Sequence, residues 1–168
     1  EAVSTGTIDV VAAGMTITDE REERVDFTEP YFVADQAALV RKGEDFGLSG
    51  PSDLNSSDIT IGVQNDTTGA FWADENAPNA EIKKYGKYIE TIQDLENQNV
   101  DVIVLDKPVA EAFEKNRPTE MIFVIPTDEA YGLAVKEGSP LLDDLNSALK
   151  KVKNSETWDK LIKEYFGS

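Results

Sequence analysis

The chain has 168 residues, with 16 Lys and Arg against 33 Asp and Glu, a net charge of −17 and no histidine. With 40% apolar residues there is enough hydrophobic material for one domain or two small lobes, and a chain of this size buries roughly two-thirds of its extended surface. The absence of Cys and His from this sequence excludes thiol nucleophiles, Ser-His-Asp triads, disulfides and Cys/His zinc sites, and the acidic balance opposes binding to nucleic acid.

In chain order, Ile8 to Ala13 is a short β-branched run that Gly14 closes, which predicts a buried strand. Thr18 stands where an N-cap would open a brief charged helix through Arg24. After the Glu29-Pro30 turn, Tyr31 to Arg41 predicts one long extended segment, interrupted by the polar pair Asp35 and Gln36 and able to cross between lobes. Pro51 to Leu54 reads as a short capped helix, Ile59 to Val63 as a buried strand, and Gln64 to Gly69 as a polar turn opening a helix from Ala70 to about Asn76. A helix near Thr91 to Asn97, a strand from Val100 to Leu105 and a helix from Asp106-Lys107-Pro108 through Lys115 follow. This alternation predicts an α/β fold with parallel βαβ packing. Met121 to Ile125 and Tyr131 to Val135 predict two further strands. The spacing of Leu141, Leu142, Leu145, Leu149 and Val152, then of Trp158, Leu161, Ile162, Tyr165 and Phe166, predicts two amphipathic helices. No apolar run is long enough for a membrane span, and the first residues lack the pattern of a signal peptide.

Two constellations could carry binding chemistry. A strand end followed by Gly14, Thr16 and Thr18, with Arg21 three residues into the next element, offers backbone donors and a planar guanidinium fork suited to a carboxylate. Taken alone, the same residues read as caps with a surface arginine paired to Glu22 or Glu23. Gly62 to Gly69, including Gln64, Thr67 and Thr68, offers a hydroxyl-rich helix start that can donate to an anion, while Asp106 at a strand end can accept from an ammonium. Taken alone, these are a capping turn and the N-cap of the helix that contains Pro108. Together the two sets complement a zwitterion.

The stretch DVVAAGMTITDEREERVDFTEPYF, followed by IGVQNDTTG, VIVLDKPVAEAF and YGLAVKEGSPLLDDLNSALKKVKNSETWDKLIKEYFG, closely resembles the amino-acid-binding, extracytoplasmic solute-binding proteins that serve ABC importers, over residues 3–167. The resemblance implies a type II periplasmic-binding-protein (Venus flytrap) architecture, with one complete lobe at 36–133 and an incomplete first lobe at 1–35 and 134–168, the segments 33–38 and 127–133 crossing between them. It implies a small, polar L-amino acid held in the interlobe cleft for delivery to an ABC transporter permease, with no metal, no cofactor and no covalent chemistry. Arg21 would pair with the ligand carboxylate, helped by the Gly14 backbone, Thr16, Thr67 and Thr68. Asp106 would take the ammonium, and Gln64 would touch the ligand side chain. Asp66 stands where the family usually has Gly. Relative to the family the chain starts inside a helix of the first lobe, which predicts that it self-associates or pairs with a missing N-terminal segment. The alternatives are the ligand-binding domain of a receptor or sensor, or an enzyme of the cyclohexadienyl dehydratase kind on the same fold.

Overall fold

The computed structural model describes residues 1–166; the end of the expected first lobe and Gly167 of the C-terminal motif lie outside the described residues. The chain forms two units, residues 1–34 with 128–168, and residues 35–127. The second boundary falls at Thr127 and Asp128 rather than near residue 133, because the strand that starts at Ala130 hydrogen-bonds only within the first unit.

The first unit contains β1 (Val10–Thr16), a four-residue helix α1 (Asp19–Glu22), β2 (Val25–Phe27) and β3 (Phe32–Val33). The first element departs from the sequence expectation. Gly14 does not close the strand; it sits within it at φ +59°, where the register of β1 shifts between Val11 and Met15. Such a left-handed residue lets a strand bulge at no steric cost. Ala12 and Ala13 are exposed, so the strand is not buried.

In the second unit, β4 (Gln36–Arg41) is separated from β3 by Ala34 and Asp35, so the long extended segment is broken at the unit boundary. A 3-10 turn (Pro51–Leu54), β5 (Thr60–Gln64), α2 (Thr68–Asn76), β6 (Glu81–Tyr85), α3 (Tyr88–Glu96), β7 (Val102–Asp106), α4 (Lys107–Asn116) and β8 (Thr119–Ile125) complete it. The chain then returns to the first unit as β9 (Ala130–Lys136), α5 (Leu141–Lys153) and α6 (Glu156–Tyr165).

The sheet of the second unit runs β6-β5-β7-β4-β8. The parallel βαβ packing expected from the alternation holds for β5 with β6 and β7, where α2 and α3 provide the crossovers; β4 pairs antiparallel with both β7 and β8. Strand β6 has no counterpart in the sequence expectation because Glu81, Lys83 and Lys84 give it the charged character of a protected edge. Period-two alternation puts Ala38, Val40, Val102 and Val104 against α2, and Ala37, Leu39, Ile103 and Leu105 against α3 and α4, so both faces of this sheet are covered.

The first unit is built differently. Its sheet is antiparallel, with β9 hydrogen-bonded to β1, β2 and β3. Its core cluster has only Val3, Val25 and Ala134 fully buried. Helices α5 and α6 contain no buried residue despite their one-sided apolar pattern, and Leu141, Val152, Leu161 and Tyr165 are exposed. The helices are tied to the rest of the unit by polar contacts: Glu29 N–H donates to Asn146 Oδ1 and Lys153 Nζ donates to the Pro30 carbonyl, both at 2.8 Å. Phe32 also stacks on Phe166. Among the described residues, no helix is long and apolar enough to cross a membrane.

Candidate functional site

In the first unit, three of the expected residues come together where β1 ends and α1 begins. Thr18 caps α1, its side-chain oxygen accepting from the Arg21 N–H at 3.3 Å. The Arg21 side chain turns back so that Nη1 donates to the Thr16 carbonyl at 2.8 Å. That bond uses one of five guanidinium donors and fixes the fork beside the strand end. Arg21 is thus anchored on the backbone of the preceding strand end.

The two smaller donors already have employment. Thr16 is buried, and its hydroxyl donates to Glu129 Oε2 at 3.3 Å. Gly14 N–H donates to the phenol oxygen of Tyr31, which burial otherwise pushes above the usual tyrosine range. A side chain at Gly14 would also approach the Tyr131 ring to 3.3 Å. Tyr31, Glu129 and Tyr131 thus surround the strand end. Sequence reasoning missed Glu129 and Tyr131 as site residues because they lie more than a hundred positions away from β1, and it read Tyr31 only as the start of an extended segment.

In the second unit, Thr67 caps α2: its hydroxyl accepts from Ala70 N–H at 3.2 Å and donates to the Gln64 carbonyl at 2.8 Å. Its hydroxyl thus serves the turn. Its contribution is to set the helix start at Thr68. The turn is made by Asp66 at φ +60°, a conformation that glycine adopts freely and Asp tolerates, so backbone geometry accounts for the Gly expected here. Gln64 leans on the next loop, Nε2 donating to the Gly86 carbonyl at 3.2 Å.

Asp106 occupies the N-cap position of α4 but makes no side-chain capping bond. Its Oδ1 instead accepts from Gln36 Nε2 at 2.8 Å, and the same amide donates to Thr68 Oγ1 at 3.1 Å. Gln36 is fully buried at the start of β4. A carboxylate only accepts, so the Gln36 amide must present its NH2 group to Asp106. The approach depends on Gly69, where a Cβ would lie 2.7 Å from Gln36 Oε1 and 3.0 Å from the Val104 carbonyl oxygen. The structure thus joins Thr68 and Asp106, expected from sequence, through a residue that sequence reasoning treated only as a polar interruption.

Chemically, the first unit presents a backbone-anchored guanidinium and the second a carboxylate held by an amide. Among the described residues no acidic cluster could hold a metal ion. The two α/β units have the type II periplasmic-binding-protein fold. The chain belongs to the bacterial extracellular solute-binding proteins, family 3, whose pattern matches residues 1–168. It is 37% identical to a probable histidine-binding protein of Neisseria gonorrhoeae, covering 98% of this chain and 63% of that protein. It is 32% identical to the ABC transporter glutamine-binding protein of Bacillus subtilis, covering 95% and 58% respectively. Among solved structures, an ancestral arginine-binding protein bound to glutamine is 38% identical with a TM-score of 0.89, covering 99% of this chain and 75% of that one. An ancestral amino acid-binding protein described as a precursor of cyclohexadienyl dehydratase is 36% identical with a TM-score of 0.90, covering 98% and 71%. The chain spans about 60% of the length of these two curated relatives, which are named as binding proteins rather than enzymes.

Proposed function

We propose that the protein binds a small polar L-amino acid outside the cytoplasm and delivers it to the permease of an ABC transporter. Arg21 takes the α-carboxylate, with Thr68 as a further donor, and Asp106 takes the α-ammonium. Gly14, Thr16 and Thr67 shape these positions through the contacts they make within their own units, and Gln64 borders the ligand side chain. Each unit by itself supplies an observation that supports this reading: in the first, Arg21 anchored on the Thr16 carbonyl, and in the second, Asp106 held by Gln36. Charge-assisted hydrogen bonds to both ends of a zwitterion are the strong kind.

A panel of the twenty L-amino acids, followed by thermal unfolding and calorimetry, tests it. A ligand that binds only the folded protein stabilises it by RT ln(1 + [L]/Kd). A selective upward shift that is lost in Arg21→Ala and Asp106→Asn is the expected result. A shift that survives both substitutions refutes the site, and no response to any amino acid refutes binding by this chain.

A second proposal concerns partners of the first unit. The exposed Leu141, Val152, Leu161 and Tyr165 on α5 and α6, beside a small buried cluster of Val3, Val25 and Ala134, support completion of this unit by a second copy or by a further N-terminal segment. Sedimentation of the purified chain tests the first option: a monomer at micromolar concentration excludes a second copy. Restored cooperativity of unfolding on adding the segment tests the other.

A further inference from the structure

We infer that Gln36 is the positioning residue of the second unit's head-group site, holding Thr68 and Asp106 in one rotameric arrangement. As an account of ligand binding this rests on the proposed function; as an account of geometry it does not. A primary amide has two N–H donors, and those of Gln36 go to the two residues that come from different elements, Thr68 at the start of α2 and Asp106 at the end of β7. No backbone contact could do this. The register pairs Gln36 with Asp106 across antiparallel strands, so the glutamine side chain and the aspartate leave neighbouring strands side by side.

The bonds also assign polarity. Thr68 Oγ1 is the acceptor in its bond with Gln36, which fixes the sense of that bond. Asp106 receives its amide bond at Oδ1, which orients the carboxylate plane. Complete burial removes water as a competitor, so the amide has one low-energy arrangement. A buried amide followed in its strand by Ala37, Ala38, Leu39 and Val40 would cost stability without hydrogen-bond partners. Gly69 is the second part of the device, since its missing side chain is the space against which the Gln36 amide lies.

The test uses Gln36→Leu, which removes both donors at similar volume, and Gln36→Glu, which keeps the shape but sets a carboxylate against Asp106. Side-chain three-bond couplings of Thr68 and Asp106 are measured by NMR without ligand, and amino-acid affinity by calorimetry. Positioning predicts couplings that move from single-rotamer values toward averaged ones in both variants, and affinity at least tenfold weaker, with the larger loss in Gln36→Glu. Couplings unchanged from wild type overturn the inference. If neither variant folds, Gln36 is a core requirement rather than a positioning residue, which also overturns it. If the couplings change while wild-type protein binds no amino acid, the positioning stands and the proposed function fails.

Discussion

The guanidinium of Arg21 donates through Nη1 to the carbonyl of Thr16, five residues upstream, at 2.8 Å. This bond closes the corner between β1 and α1 and fixes the direction of the remaining guanidinium donors. Arg21→Ala is therefore expected to weaken amino-acid binding by about 2–5 kcal/mol, the range for truncating one partner of a buried charge pair. Arg21→Lys keeps the charge but loses the fork and should recover only part of the loss. Calorimetry decides, and unchanged affinity in Arg21→Ala would refute the carboxylate assignment.

Gly69 is a packing requirement. A methyl group there would meet the Gln36 amide oxygen at 2.7 Å and a β7 backbone oxygen at 3.0 Å, and backbone cannot move aside cheaply. Gly69→Ala is expected to destabilise the protein by about 1–3 kcal/mol through overpacking, outweighing the gain in helix propensity. Urea unfolding reads this directly. A neutral or stabilising effect would show that α2 can retreat from β7.

Asp66 makes the left-handed turn before α2. Asp66→Ala should cost about 1 kcal/mol, because alanine lacks the local polar contacts that let Asp visit this region. Asp66→Gly should be the more stable of the two variants. Equal unfolding midpoints would show that the backbone relaxes out of the left-handed region.

Tyr85 and Asp94 make the clearest pH-dependent pair. The phenol donates to Asp94 Oδ2 at 2.7 Å, and this bond, with a second from Asn99, holds the Asp94 carboxyl below the ordinary value of 3.8. Burial first, and then the Asp94 charge, push Tyr85 above the ordinary value of 10.0. The signs differ in pH. The Asp94 contribution is fully present above pH 3.8 and is lost as pH falls through the lowered native value. The Tyr85 contribution is fully present below pH 10.0 and is lost as pH rises toward the raised native value. Tyr85→Phe should therefore flatten both the acid and the alkaline limbs of the stability profile. Limbs as steep as those of wild type, measured by denaturant midpoints against pH, would refute the coupling.

The sequence by itself determined the local features. The continuous apolar runs of β4 and β7, the Thr18 and Thr67 caps and the helical spacing of α5 and α6 all depend on neighbours within a few residues, where patterning and capping chemistry act. Arg21, Thr68 and Asp106 stood out through the family resemblance of their motifs; taken alone, as donors and acceptors at element ends, they read as caps. Only the tertiary structure decided what those groups touch. Gln36 meets Thr68 from 32 residues away and Asp106 from 70, and Thr16 meets Glu129 from 113. The bulge at Gly14 and the reversal of β4 against its neighbours β7 and β8 depend likewise on pairing partners remote in sequence. Local propensity carries no information about such partners, since a side-chain hydrogen bond is specified only once both elements have been brought to the same sheet edge.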